Sequence, residues 1–100
     1  MTEEHLTLYR QLSETKVYKE RFGELKGEDR VDAGLPPVFD PENPERCLVG
    51  MLNGAINLER MSGDWTVLSG SDGHGFYAHR VSDDHLDIAL IKAILKQEGL

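Results

Sequence analysis

Histidines and aspartates in the last third of the chain are the residues best suited to acid–base or metal chemistry. His74 and His79 lie close in sequence to Asp72, Asp83 and Asp84. Imidazole nitrogens and carboxylate oxygens can bind a divalent cation, and such a pair can also transfer protons. The spacing matches none of the helical histidine pairs that make a zinc site specific. We therefore expect a polar turn followed by a strand histidine that faces solvent, and a metal-dependent site is the alternative.

A glycine-rich segment, Gly70–Gly75, raises the question of a phosphate-binding loop. It lacks the lysine and the serine or threonine that follow the glycines of a P-loop. Asp72 within the segment would also repel a phosphate group. A turn that uses glycine at positive φ is the interpretation that we prefer.

Cys47 is the only cysteine, so the chain cannot form an internal disulfide. It lies in the first turns of a predicted helix, where a thiol can be activated as a nucleophile. Cys47 also falls on an apolar stripe with Leu48 and Met51, so we expect it to be a small buried side chain of the core. Trp65 is expected to anchor the core rather than to stack on a ligand. No catalytic residue, metal ligand or cofactor is predicted.

Carboxylates dominate the charged groups of the chain. There are 18 Asp and Glu residues against 11 Lys and Arg, which gives a formal net charge of −7. Carboxylates on a rigid surface can imitate the phosphates of a nucleic acid and compete for a basic groove on another protein. The alternative interpretation is a solvated surface that keeps a small protein soluble. The candidate partner-binding residues are Asp72, Asp83, Asp84, Asp87, Glu42 and Glu45.

Length and composition limit the class of protein. The chain has 100 residues, of which 39% are apolar and 29% are charged, and this is enough for one domain with a single core. No stretch approaches the roughly 20 apolar residues of a membrane span. The acidic start, Met1–His5, is not expected to be a signal peptide. The excess of acidic residues argues against direct binding to nucleic acid.

Apolar spacing predicts a first helix over about Glu3 to Leu25. Its apolar side chains lie three or four residues apart and therefore share one face. Thr2 is the expected N-cap, and Gly23 and Gly27 should end the helix.

Two further helices follow from capping residues and apolar spacing. A short one is expected from Pro44 to Leu52, because Asn43 is a good N-cap and proline suits the first helical position. A longer and broadly apolar one should begin at Asp84, behind a cap formed by Ser82 or Asp83. The apolar character of the last helix predicts that it is well buried.

Alternating apolar and polar residues predict three strands. The first begins at Ile56, the second covers Trp65–Leu68, and the third covers Phe76–Val81. A tight turn at Ser62–Asp64 and a loop at Ser69–Gly75 would join them into an antiparallel meander.

The order of elements predicts an α+β fold. We expect a small two-layer domain in which a three-stranded antiparallel meander packs against helices, with an amphipathic helix at the N-terminus. One face of the sheet would be covered by the last two helices. Residues 1–100 are taken as a single domain, with a compact helix, three strands and helix in 44–100. Whether residues 1–26 pack on this unit or are set apart by loop 27–43 is left open.

The second half of the chain carries a pattern of four segments. These are Asp40–Pro44 at a helix start, the tryptophan strand Asp64–Val67, the late strand Gly75–Ala78, and Leu86–Ile91 in the last helix. In this pattern the chain from Phe39 to Leu95 resembles the small phage proteins grouped as a phage α-β-α sandwich domain. The resemblance implies a phage or prophage accessory protein that acts in the cytoplasm of a bacterial host cell. The family supplies no catalytic residues.

Three hypotheses of function remain. The first is a non-catalytic binding protein, monomeric or homodimeric, that inhibits or modulates a host protein or nucleoprotein complex without contacting a membrane. A defence system such as CRISPR–Cas is one target that the resemblance suggests. The second is a small enzyme that uses the Asp72–His85 region. The third is a structural or assembly protein whose first helix pairs with its copy. We also expect that reversing the charge of Asp83, Asp84 and Asp87 weakens partner binding and leaves the fold intact.

Overall fold

The computed structural model describes residues 3–23 and 36–99. Three α-helices and three strands make up its regular structure, together with a single turn of 3₁₀ helix. The elements in chain order are α1 (Glu3–Ser13), α2 (Lys16–Phe22), the 3₁₀ turn (Val49–Met51), β1 (Ile56–Met61), β2 (Asp64–Ser69), β3 (His79–Asp83) and α3 (Leu86–Gln97). The α+β fold and the antiparallel meander are confirmed. The expectations for Thr2, Leu25, Gly27 and loop residues 27–35 lie outside the described residues.

The first helix is broken in two at Thr15, where we expected it to continue. The Thr15 hydroxyl donates to the Leu12 carbonyl oxygen at 2.7 Å and accepts from the Tyr18 N–H at 3.3 Å. Its backbone is extended, with φ −70° and ψ 151°, so it ends one helix and caps the next. Hydroxyl side chains compete with the helical backbone in this way. Gly23, with φ 78°, then ends α2 as expected.

The predicted helix from Pro44 to Leu52 is wrong. Only Val49–Met51 is helical there, as a 3₁₀ turn. The N–H groups of Leu48 and Val49 bond to the carbonyl oxygens of Pro37 and Val38, at 2.9 and 3.1 Å. An α-helix would direct these two donors to carbonyls four residues earlier, so the long-range pairing excludes it.

Asn43, the expected N-cap, is used differently. Its side-chain amide donates to Asp40 Oδ2 at 3.3 Å. Asp40 Oδ1 accepts the N–H groups of Glu42 and Asn43 at 2.9 and 3.2 Å. Asp40 therefore closes an exposed turn, and these hydrogen bonds lower its pKa.

The sheet has the order β1-β2-β3, with both pairs antiparallel. Met61 pairs with Asp64 across a two-residue turn, in which Ser62 and Gly63 have φ of 52° and 86°. Two positive φ angles are the property of the type I′ turn, which suits the twist of a hairpin. The third strand lies later than predicted, at His79–Asp83, because residues before it form a separate loop.

The last helix also begins later than predicted. It starts at Leu86, with His85 at the N-cap position and no side-chain cap. Ser82 and Asp83, the expected caps, belong to β3 instead. Asp83 Oδ1 does accept the His85 N–H, at 3.0 Å, so it holds the turn into the helix without capping it.

Helix α3 lies at the centre of the core. Seven of its side chains are buried: Ile88, Ala89, Leu90, Ile91, Ala93, Ile94 and Leu95. It packs on β2 and β3 with one side and on α1 with the other. Tyr9 and Leu12 of α1 are fully buried against it. The sheet is therefore covered by α3, and α1 covers α3, whereas we expected the last two helices of the sequence to cover the sheet.

Candidate functional site

The segment Ser71–Ala78, here called the aromatic loop, joins β2 to β3 and is exposed along its whole length. Asp72 folds the loop on itself. Its Oδ1 accepts the N–H of His74 at 2.7 Å and that of Phe76 at 3.2 Å, and its own N–H bonds to the Phe76 carbonyl oxygen at 3.1 Å. Gly73, with φ 84°, takes a backbone conformation that other residues rarely adopt. The loop therefore has a defined shape.

The aromatic loop presents two large side chains to solvent. Phe76 is 72% exposed and Tyr77 is 39% exposed. The sequence predicted both on a strand, so this presentation was missed. The signal that could have found it is Asp72 itself, since an aspartate followed by glycine is a common start of a hydrogen-bonded turn.

The histidine–aspartate hypothesis has little geometric support in the described part of the chain. No group of three or more His, Cys, Asp or Glu side chains that could hold a metal ion occurs there. Asp72 uses Oδ1 to hold its own loop. His79 lies on β3 and is half-buried, not on the solvent-facing side that we expected.

Asp83 forms an ion pair that the sequence did not predict. Its Oδ2 lies 2.8 Å from Lys92 Nζ, and Glu4 Oε1 of α1 lies 3.8 Å from the same nitrogen. Burial alone would raise the pKa of Asp83, but hydrogen bonds from Lys92 and the His85 N–H outweigh it and lower the pKa to about 2. The Asp83 bond likewise raises the pKa of Lys92. The ion pair joins β3, α3 and α1.

The remaining candidate carboxylates do not form one patch. Asp84 is exposed and lies 3.9 Å from His85 Nε2 through Oδ1, and Asp87 is half-buried in the first turn of α3. Asp72 lies in the loop before β3 and Asp83 at its far end, and β3 itself is about 13 Å long at the usual rise per residue. Asp64 adjoins the Asp83 end, because Trp65 pairs with Asp83. The sequence did not place Asp64 among the candidate carboxylates, because it lies far from Asp83 along the chain.

Glu42 and Glu45 are both exposed in the turns that precede the 3₁₀ segment. They lie in the segment that we expected to be helical, so the structure presents them on a loop instead. The Asp40 carboxylate holds the Glu42 N–H, which fixes the backbone at that residue.

Cys47 is a structural residue in this fold. Its side chain is fully buried, and Sγ donates to the Pro44 carbonyl oxygen at 3.2 Å and accepts the Gly50 N–H at 3.3 Å. Gly50 packs so closely on the same carbonyl that a Cβ would overlap with it. Trp65 is half-buried against the core, with Arg60 over its ring at 5.6 Å.

A groove lies between β3 and α3 and has a volume of about 270 Å³. It is lined by the aliphatic residues Val81 and Leu95, by the cationic residues Lys92 and Lys96, and by Arg80, whose side chain lies on the opposite face of the sheet from that of Val81. Lys96 Nζ donates to the Arg80 carbonyl oxygen at 3.2 Å. The groove is thus basic and partly apolar, on a chain that is acidic as a whole.

Comparison with known proteins identifies no relative. No protein-family model, curated protein or solved structure matches this chain. No helix of the described ranges, 3–23 and 36–99, has the length and apolarity needed to cross a bilayer.

Proposed function

We propose that this chain is a non-catalytic binding protein whose principal contact is the aromatic loop, and that its partner is a protein with a basic surface. The observation that carries the proposal is the exposure of Phe76 and Tyr77 on a loop that Asp72 holds in one shape. Aromatic side chains dominate the binding energy of many interfaces. A loop that is ordered before binding loses less entropy when it binds.

The charge of the chain favours a basic partner. The net charge is −7, and Asp72 Oδ1 accepts the N–H of Phe76, one of the two aromatic residues of the loop. Charge complementarity of this kind accelerates association and selects against acidic partners. Basic protein surfaces commonly serve to bind nucleic acid, so competition with nucleic acid on a host protein or nucleoprotein complex would inhibit or modulate it.

The sequence resemblance suggests where such a partner is found. A phage or prophage accessory protein would meet its target in the cytoplasm of a bacterial host, and a CRISPR–Cas complex is one target of this kind. Asp84, Glu42 and Glu45 are exposed and able to add electrostatic contacts. Asp83 already has Lys92 as its partner, so its charge is largely neutralised.

Capture from a bacterial lysate, with and without nuclease, tests the proposal when two variants are compared. Phe76→Ala combined with Tyr77→Ala should abolish recovery of the partner. Phe39→Ala is the matched control, because Phe39 is 61% exposed but lies outside the loop. Equal recovery with both variants, or no protein enriched with the unmodified chain, would refute the proposal.

A further inference from the structure

We propose that the free edge of β3, which no strand of the described ranges 3–23 and 36–99 occupies, binds an extended acidic segment of a partner protein as an added strand, together with the groove beside α3. The inference does not depend on the aromatic loop. It depends on three properties of this edge: the direction of its backbone groups, the residues of the groove, and the charge of the rim.

The backbone direction follows from the register of the hairpin. The two-residue turn makes Met61 and Asp64 a hydrogen-bonded pair, and such pairs recur at every second residue of an antiparallel ladder. The Gly70 N–H bonds to the Ala55 carbonyl oxygen at 3.1 Å, which agrees with this alternation. In β2, residues 64, 66 and 68 therefore bond to β1, and residues 65, 67 and 69 bond to β3. Their partners in β3 are residues 83, 81 and 79.

The alternate residues of β3 direct their backbone groups away from the sheet. Arg80 and Ser82 thus present N–H and carbonyl groups at the free edge, which is where an extended peptide adds a strand. Within residues 3–23 and 36–99, the contact that occupies this edge is the exposed bond from Lys96 Nζ to the Arg80 carbonyl oxygen. A peptide N–H can replace Lys96 Nζ as the donor to this carbonyl oxygen at little cost in free energy, because the bond is exposed to solvent.

The groove can receive one side chain of the added strand. The residue opposite Val81 would lie on the side of the sheet that faces α3, since paired residues share a face. It would contact Val81 and Leu95, both of which are buried and aliphatic. A volume of about 270 Å³ is below the range of most pockets for whole small molecules, so it suits a side chain better.

The rim selects acidic residues next to that aliphatic one. Lys92 is already paired with Asp83 and Glu4, whereas Arg80 and Lys96 have no acidic partner in the described residues. An acidic residue two positions from the aliphatic one would reach Lys96 on the same face. Its neighbour, on the opposite face, would reach Arg80. The apolar lining favours a peptide over a phosphate-bearing ligand.

Titration with two synthetic peptides tests the proposal by NMR of the full chain. The probes are GTEEVTVG and its reversed counterpart GVTVEETG, which cover the two possible strand directions. One of them should bind with a Kd below about 1 mM and shift the amide signals of residues 80–82. Exchange of the Arg80 and Ser82 amide protons should slow by about tenfold or more, whereas that of Val81 should not change, because it already bonds to β2.

Charge variants separate recognition from non-specific attraction. Lys96→Glu should weaken binding of the acidic peptide by about tenfold and gain binding of the peptide GTKKVTVG or its reverse. Lys19→Glu changes the net charge equally on an exposed position of α2 and should alter the affinity less than about twofold. Absence of binding at about 1 mM, signals that shift elsewhere, or equal affinities of the two variants would each overturn the proposal.

Discussion

The ion pair between Asp83 and Lys92 should make a measurable contribution to stability. Asp83→Asn keeps the shape of the side chain and an oxygen that can accept the His85 N–H, but it removes the charge that faces Lys92. The folded state would then hold a partly buried lysine whose nearest remaining carboxylate is Glu4, at 3.8 Å. We expect the variant to fold and to be less stable.

The magnitude follows from the pKa of Asp83. A fall from 3.8 to about 2 corresponds to about 2.4 kcal/mol, at about 1.36 kcal/mol per pKa unit. The Asp83 side chain is only 14% exposed, but Lys92 is 34% exposed and is therefore partly screened by solvent. We expect a loss of about 2 kcal/mol at pH 7, or a decrease in Tm of about 10 °C for a chain of this size.

The pH dependence gives this prediction its sharpest form. Because the folded state lowers the pKa of Asp83, its contribution is complete above pH 3.8 and is lost as the pH falls through about 2. The difference in unfolding free energy between wild type and Asp83→Asn should therefore be constant from about pH 7 to 5 and shrink steeply below about pH 4.

Urea denaturation at a series of pH values measures this difference. Asp64→Asn is the matched control, since Asp64 is exposed at the same end of the sheet, and its effect should stay below about 0.5 kcal/mol. A double-mutant cycle with Lys92→Met should show coupling between the two sites. A loss for Asp83→Asn that is under about 0.5 kcal/mol, or that does not change with pH, would refute the reasoning.

Three further predictions concern the core and its turns. Gly50→Ala should lower the free energy of unfolding by about 3 kcal/mol or more, because its Cβ would overlap with a backbone carbonyl, whereas Gly73→Ala should lower it by about 1 kcal/mol, from its positive φ alone. Urea denaturation measures both losses, and equal losses would contradict the packing argument. Cys47 should react with a thiol reagent only as fast as the protein unfolds, because its side chain is fully buried; immediate reaction of the folded protein would contradict this. Burial, aided by Tyr18, raises the pKa of Tyr9, so the free energy of unfolding should fall above about pH 10, where a tyrosine of the unfolded chain ionises. Tyr9→Phe should reduce this loss of stability at alkaline pH, and an unchanged pH profile would show that Tyr9 is not its source.

Elements that depend on local periodicity were the ones that the sequence predicted well. The last helix was recognised from its continuous apolar spacing, and burial of all four residues of Ile88–Ile91 agrees with its central place in the core. The first hairpin was recognised because segments of alternating apolar and polar residues lie on both sides of a Ser-Gly turn, and the structure has that turn at Ser62–Gly63. In each case neighbouring residues determine the geometry.

Elements that depend on distant partners could not be predicted in this way. Asn43 and Pro44 are good signals for the start of a helix, but Leu48 and Val49 bond to a segment eleven residues earlier. Thr15 falls at a position that continues the apolar stripe, yet its hydroxyl ends the helix. Propensity is a weak guide where tertiary hydrogen bonds compete with it.

The candidate site illustrates the same limit. Asp83 had the features of a helix cap and of a surface charge, and only the position of Lys92, nine residues later, shows that it forms a partly buried ion pair. Reversing its charge would place two cations together in the fold. The expectation that Asp83 can be reversed without harm to the fold is therefore revised, and a test of acidic contacts should use Asp84 instead.

The two proposed contact surfaces adjoin along the chain, because the aromatic loop leads directly into β3, which borders the groove. The aromatic loop ends at Ala78, directly before His79, and Lys96 reaches the Arg80 carbonyl one residue further on. An extended partner segment that pairs with β3 as far as His79 would end near Tyr77, which is two residues before the strand. The basic groove would hold an acidic strand of the partner, while the aromatic loop and its carboxylate would meet the surface around it. A single partner protein with an acidic edge segment beside a basic surface would therefore satisfy both, which explains how an acidic chain can carry a cationic groove without conflict between the two charges.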